Sequence, residues 1–487
     1  MKTGAVIVGV LGLYLLALNP WFMPDQHDDV LYYFGAISLL EDHAFNLNGL
    51  PITDWPPGMS AAIAISQAVL GASVVKAKLL ILLFVAIGLW LLPRLLRQEG
   101  QPYPWACTAL AGLFPISFMM GTRILSEWPF LTLTGLFFLL LERLRKQPQW
   151  WSGILLGLLL AAAALTRFIG VFLGAAVVFQ WVCLAREQGW KKPVWLRPEI
   201  LAGALGGGLW LAWRMRSAGI IEAGLAPMGN YGQSAYFAER FSNLEPLVFL
   251  ARIEEVAFSF SRVCSKLGMP EAVGYLLALG VGALWITGFI SKVRTHGFRP
   301  LDAYVWTCLA LLLLDLIKPE RYFMPLAPFL CSYLLHGLEL VAARFTGAQK
   351  ERVLRGTFVL WGCWLVMLNS VLLFKGNASG THGGLSMLAS KSGDAFYKGE
   401  WADIYAMCRF VGANTPDEPI AVQGDTISKY VTAFGGRDYW ELPWDEGRPH
   451  RVLLLVEGEQ RSANHQEGWE HWTTIGRYQL IRKVDEQ

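Results

Sequence analysis

Two adjacent carboxylates, Asp28 and Asp29, follow the first apolar run of the chain, with Asp25 and His27 just before them. A single aspartate at a helix start is accounted for by capping and by the helix dipole. Four polar groups pressed against a membrane surface exceed what capping requires. Neighbouring residues on a helix do not share a face, so the two aspartates are expected to do different work. A carboxylate at this level can act as general base toward a hydroxyl or amine. The basic counterparts are Arg123, Arg167, Lys318 and Arg321, each at the end of an apolar run. Taken singly, such cations snorkel from helix ends to the headgroups. Together they are nearly all the positive charge in the short loops on their side, and arginine is the bidentate phosphate ligand. As a set they point to an anion site.

Other polar positions have simpler readings. Glu127 follows Ser126 at the head of an apolar run, where capping by the serine and dipole complementation by the glutamate explain both. Tyr322, with Pro325 and Pro328 after it, stands where a distorted helix opens a groove, and plain structural kinking serves as well. His27, His43 and Asp54 are potential metal ligands without a metal-site spacing; no metal set is assigned, and a divalent cofactor stays open. Of the seven cysteines, Cys107, Cys183, Cys308, Cys331 and Cys363 lie in apolar runs, and no C-x-x-C pair occurs. Cys264 and Cys408 lie outside those runs and can pair in an oxidising compartment. Asn377-Ala378-Ser379 fits the glycosylation sequon.

The elements that position these groups are membrane helices. Of 487 residues, 54% are hydrophobic and only 16% charged, against about a quarter charged in soluble domains. The 21 Trp and 49 Gly fit a chain with interfacial anchors and close helix packing. A net charge of +3 is too small to suggest nucleic acid. A span needs about 20 apolar residues. Eleven runs qualify, near 3–20, 74–93, 104–121, 126–142, 150–166, 168–185, 198–216, 271–291, 302–317, 322–343 and 354–374. The first is read as an uncleaved helix, since no small-residue cleavage pattern precedes Asn19-Pro20. The runs on either side of Thr166-Arg167 must turn in a tight hairpin.

Orientation follows from the basic residues. With the N-terminus in the cytoplasm, alternate loops hold Arg94 and Arg97; Arg143, Arg145 and Lys146; Arg186, Lys191, Lys192 and Arg197; Lys292, Arg294 and Arg299; and Arg344, Lys350, Arg352 and Arg355. Three larger segments then lie outside: 21–73, 217–270 and everything after about 375. Within the first, 28–42 and 57–70 are too short and amphipathic to span and read as interfacial helices, the second opened by Pro56-Pro57. Residues 245–266 read as another surface helix. Beyond Lys375 the apolar runs shrink to strand length: 420–423 and 451–459 read as buried strands, 400–413 and 425–434 as helices. The division is therefore 1–375, a membrane domain, and 376–487, a small extracytoplasmic α/β domain with a partly parallel sheet.

These residues resemble a known family. Asp28-Asp29-Val30-Leu31-Tyr32-Tyr33 opening the first outer segment is similar to the GT-C superfamily of membrane glycosyltransferases, in the branch of protein O-mannosyltransferases and the lipid A aminoarabinose transferase. Trp55-Pro56-Pro57-Gly58, Ser126-Glu127-Trp128-Pro129-Phe130, Thr166-Arg167-Phe168-Ile169-Gly170 and Arg321-Tyr322 followed by Pro325 also resemble that family's pattern. The second acidic residue is Asp29 where many members carry Glu, which leaves sugar and acceptor open. The resemblance implies an inverting transfer of a sugar from a polyprenyl-phosphate donor at the extracytoplasmic face of a bacterial inner membrane. The acceptor would be a glycan, lipid or protein. Asp28 would be the base, Asp29 its support or a hold on the acceptor, and Arg321, Arg167, Lys318 and Arg123 the cradle for the leaving phosphate. The competing reading is a transporter or flippase for a lipid-linked glycan. It requires ionisable groups near the bilayer midplane and paired halves; Asp315, itself near a run's end, is the strongest such group, and no half-to-half symmetry is visible.

Overall fold

Each of the eleven apolar runs is the seat of a helix in the computed structural model. It describes residues 3–22, 27–47, 50–53, 55–187, 197–223, 253–254, 270–313, 319–375, 400–415, 420–423, 431, 439–442, 452–456, 469–475 and 478–483. The helices are α1 (Thr3–Leu16), α2 (His27–Glu41), α3 (Gly58–Leu70), α4 (Val74–Gln98), α5 (Pro104–Leu113), α6 (Pro115–Gly121), α7 (Glu127–Lys146) and α8 (Trp150–Thr166). A 3₁₀ turn (Phe168–Phe172) leads into α9 (Leu173–Glu187), then α10 (Pro198–Glu222), α11 (Glu271–His296), α12 (Pro300–Leu313), α13 (Pro319–Ala342) and α14 (Gly347–Lys375). The two helices expected at the interface are thus present as α2 and α3. The helix expected over 245–266 lies outside the described residues except at 253–254.

By length and composition, five of the described helices can cross a membrane, or six if the bent pair α5–α6 is one span. The chain is a multi-pass membrane protein. The other apolar helices are short or charged at their ends: α8 and α12 are 17 and 14 residues long, and α7 is uncharged only between Glu127 and Glu142. Leu276 and Leu279 on α11 and Val359 and Leu360 on α14 are exposed, an apolar surface that suits lipid and not water.

Two departures from regular spans have local causes. The run 104–121 is broken at Phe114, which is extended (φ −57°, ψ 135°) before Pro115, and α5 and α6 diverge by 68°. Proline lacks the amide proton and pushes its predecessor out of helical backbone. The expected hairpin at Thr166-Arg167 is a tight turn, but its arms part, α8 packing along α10 and α9 against α12. By contrast, α13 runs on through Pro325 and Pro328. Helices α11 and α13 touch backbone to backbone: a Cβ on Gly288 would collide with the Tyr333 carbonyl, and one on Gly337 with the Leu284 carbonyl. Small residues permit this approach where no hydrophobic effect drives helices together.

The same helices are also tied by charge. Lys292, expected in a cytoplasmic loop, is buried at the end of α11, 2.6 Å from Asp302 of α12 and 3.0 Å from Glu99 after α4. The Tyr333 hydroxyl of α13 donates to Asp302 at 2.5 Å.

Past α14 the described chain changes character. Helix α15 (Glu400–Asn414) precedes strands β3 (Ile420–Gln423), β4 (Tyr439–Leu442), β5 (Val452–Val456), β6 (Trp469–Ile475) and β7 (Tyr478–Lys483), a short pair β1 (Asn46–Leu47) and β2 (Leu50–Pro51) having formed earlier. The five later strands make one sheet in the order β4-β3-β5-β7-β6, parallel through β4-β3-β5 and antiparallel through β5-β7-β6. The partly parallel sheet and both predicted strands are present. Apart from Val431, the helix expected at 425–434 lies outside the described residues.

Candidate functional site

The acidic pair divides at the start of α2: Asp28 is half-buried and Asp29 fully buried. Asp29 Oδ1 accepts the Val30 amide at 2.9 Å. Three positions on, and therefore on the same face of the helix, Tyr32 is buried with its hydroxyl 3.2 Å from Ser126 Oγ. Ser126 does not cap α7 through its side chain, contrary to the simple reading. Its hydroxyl serves Tyr32 and the Arg167 guanidinium, whose Nη1 donates to it at 3.1 Å. Glu127 likewise does more than face a helix dipole. Its Oε1 lies 2.6 Å from Arg167 Nη1, with the glutamate fully buried and the arginine 7% exposed. Arg123 is 1% exposed. Neither arginine snorkels to the headgroups.

Glycines make these approaches possible. A Cβ on Gly58, at the head of α3, would lie 2.6 Å from the Leu165 carbonyl, so α3 presses directly on the end of α8 that delivers Arg167. A Cβ on Gly121 would strike the Tyr14 ring and come 2.9 Å from Trp128 Nε1. That tight corner carries the chain into Arg123 and Ser126, braced by the Tyr14 hydroxyl on Gly112 O at 2.8 Å and Trp128 Nε1 on Ser117 O at 2.9 Å.

One member of the cluster escaped the sequence reading. Lys78, in the second turn of α4, is fully buried, and both Asp29 and Arg123 act on it through space. Its Nζ donates to Asn19 Oδ1 at 2.9 Å and to the Trp21 carbonyl at 2.6 Å. The available signal was a pair of lysines, Lys76 and Lys78, inside the first two turns of a span free of further charge up to Arg94, a costly placement for the inner one unless partnered.

The structure therefore gathers Asp29, Arg123, Glu127 and Arg167 with Lys78, and sets Asp28 at the same helix end. Every member sits at a helix end or between helices, none in the middle of a span. Arg321 and Tyr322 belong to the first turn of α13, but their side chains lie outside the described residues, as do Lys318, Asp54 and Asp315. Of the histidines, His43 is exposed in a left-handed turn (φ 54°) and the His27 side chain is outside the described residues. Among the described residues no group of three or more His, Cys, Asp and Glu converges as a metal site. Cys408 is a buried free thiol in α15, while Cys264 and Asn377 fall outside the described residues.

No family model matches the sequence, and no curated protein does. Solved structures do match. ArnT from Cupriavidus metallidurans bound to undecaprenyl phosphate is similar over 100% of this chain and 99% of its own, with a TM-score of 0.57 at 13% identity. This chain shares the fold of ArnT. The apo state of the same ArnT aligns with a TM-score of 0.54 at 12% identity. The archaeal oligosaccharyltransferase AglB from Archaeoglobus fulgidus, in complex with an inhibitory peptide and a dolichol-phosphate, covers 93% of this chain with 69% of its own length, at a TM-score of 0.52 and 12% identity. In this chain's version of that fold, the charged cluster is assembled from the segment between α1 and α3, the start of α4, the α6–α7 corner and the α8–α9 turn.

Proposed function

We propose that this chain is a glycosyltransferase that moves a sugar from a polyprenyl-phosphate donor to an acceptor at the extracytoplasmic face of a bacterial inner membrane. The observation that carries the reading is the charge of the buried cluster. Lys78, Arg123 and Arg167 stand against Asp29 and Glu127, leaving one positive charge in excess among these buried groups. Removing charges from water is costly unless they are paired, and a phosphate completes the pairing. Solved GT-C folds holding undecaprenyl phosphate and dolichol-phosphate support a polyprenyl-linked donor here.

In this reading the eleven helical runs are spans, the N-terminus is cytoplasmic, and residues 376–487 form an extracytoplasmic domain. Asp28, the less buried aspartate, takes the proton from the acceptor hydroxyl or amine. The acceptor atom bonds to the anomeric carbon as the carbon–oxygen bond to phosphate breaks, inverting the centre and leaving the electron pair on the phosphate. Lys78, Arg123, Arg167, Lys318 and Arg321 bind and neutralise that phosphate; Glu127 and Ser126 hold Arg167 in place. Phosphate is already a good leaving group, so no nucleotide is needed. Clustering at helix ends favours this reading over transport, which calls for ionisable groups at mid-membrane.

The test is incubation of purified protein with a panel of polyprenyl-phosphate sugars and assay for released polyprenyl phosphate. Wild type is expected to release it with at least one donor, and Asp28→Asn to release none while still eluting as a folded protein. Full activity of that variant removes Asp28 as the base.

A further inference from the structure

Two of the buried cations of the cluster are held in different ways. Arg167 is compensated at contact by a carboxylate, Glu127, at 2.6 Å. Lys78 is held by dipoles: two of its three N–H groups go to the Asn19 side-chain oxygen and the Trp21 carbonyl. Among the described residues no carboxylate comes within ion-pair distance of it, although Asp29 lies near enough to act through space. Asn19 is itself 2% exposed and doubly tied, its Oδ1 accepting the Trp21 amide at 3.1 Å and its Nδ2 donating to Ala17 O at 3.1 Å. It sits in the turn between α1 and the acidic segment.

We infer that Asn19 is a positioning residue whose neutrality matters: it fixes the direction of the Lys78 ammonium while leaving its charge available to the donor phosphate. This rests on the donor reading above. The physics is a choice between two near-isosteres. An aspartate at 19 would accept the same two hydrogen bonds, and charge-assisted bonds are stronger than neutral ones. Aspartate would forfeit the Nδ2 donation to Ala17 O, but for holding the lysine it serves about as well. For anion binding it does not, because a carboxylate 2.9 Å from Nζ would compensate the lysine and repel the incoming phosphate in a site of low dielectric.

The experiment measures affinity of the purified full-length protein for undecaprenyl phosphate and for undecaprenol, in wild type, Asn19→Asp, Asn19→Ala, Lys78→Met and the double variant Asn19→Asp/Lys78→Met, with thermal unfolding of each. Wild type is expected to prefer the phosphate. Absence of that preference overturns the donor reading itself. Given the preference, Asn19→Asp is expected to weaken phosphate binding about tenfold or more, Asn19→Ala only about threefold, and Asn19→Asp to add much less on the Lys78→Met background. Unchanged or tighter phosphate binding by a folded Asn19→Asp overturns the inference while leaving the donor reading standing. If Asn19→Asp does not fold, undiminished phosphate binding by a folded Asn19→Ala overturns it equally, since the bond that directs Lys78 is then dispensable.

Discussion

Replacing Glu127 with glutamine tests the cluster most directly. The carboxylate is fully buried and 2.6 Å from an arginine that is 7% exposed, so the change leaves a buried guanidinium without its contact counter-charge. Breaking a buried pair from one side costs about 3–5 kcal/mol. Little of that is relieved by solvent, because the glutamate is fully buried and the arginine nearly so. The excess positive charge of the cluster rises at the same time from one to two. An anion supplied from outside should then recover more than it does in wild type, because it replaces a lost partner as well as binding its own site. The assay is thermal unfolding in detergent with and without undecaprenyl phosphate. Glu127→Gln is expected to unfold well below wild type and to gain more from the lipid phosphate. The double variant Glu127→Gln/Arg167→Met, which restores the charge balance, is expected to be more stable than Glu127→Gln alone. If Glu127→Gln melts with wild type, or if the phosphate stabilises both equally, then Arg167 is not part of a phosphate cradle that Glu127 compensates.

Other consequences are simpler to check. Gly58→Ala puts a methyl group 2.6 Å from the Leu165 carbonyl, forcing α3 away from α8; the variant should lose stability by roughly 1–3 kcal/mol, measured by thermal unfolding, and should lower transfer because Arg167 moves with α8. Lys292→Met leaves buried Asp302 and partly buried Glu99 without their lysine, at a cost of about 3–5 kcal/mol. That cluster is separated from Lys78 by the length of α4, about 30 Å, so the loss should appear in unfolding temperature and not in the KM for donor. Burial pushes the Cys408 thiol above its ordinary value, so it stays protonated as well as inaccessible. Maleimide at pH 8 should label it only after unfolding, and rapid labelling of the folded protein would show that α15 does not pack as described.

Membrane helices were legible because their signal is local. Lipid demands about 20 apolar residues per crossing and internal satisfaction of every backbone group, and the runs that form α4, α9, α11, α13 and α14 carry that demand in their own composition. The prolines at 56–57 and 115 were equally local, although the break at Phe114 needed one more step, from proline's effect on its predecessor to a bent pair of helices. Strands β6 and β7, which pair antiparallel, were missed despite a readable cue: in the sequence only Gly476-Arg477 separates Trp469–Ile475 from Tyr478–Lys483, a spacing that signals a hairpin.

What the sequence alone determined is where helices run, that an acidic pair follows the first of them, and that few cations stand in the short loops of alternate runs. Only the tertiary structure decided which of those cations meet, and that Lys78 joins them. It also decided that the Ser126 hydroxyl serves Tyr32 and Arg167 instead of capping α7. The pairs involved, Asn19 with Lys78, Tyr32 with Ser126 and Ser126 with Arg167, are 59, 94 and 41 residues apart. Helix formation in lipid is settled within one turn of neighbours, whereas the partner of a buried charge is settled by which helices can approach, and that depends on glycines and side-chain shapes far apart in the chain.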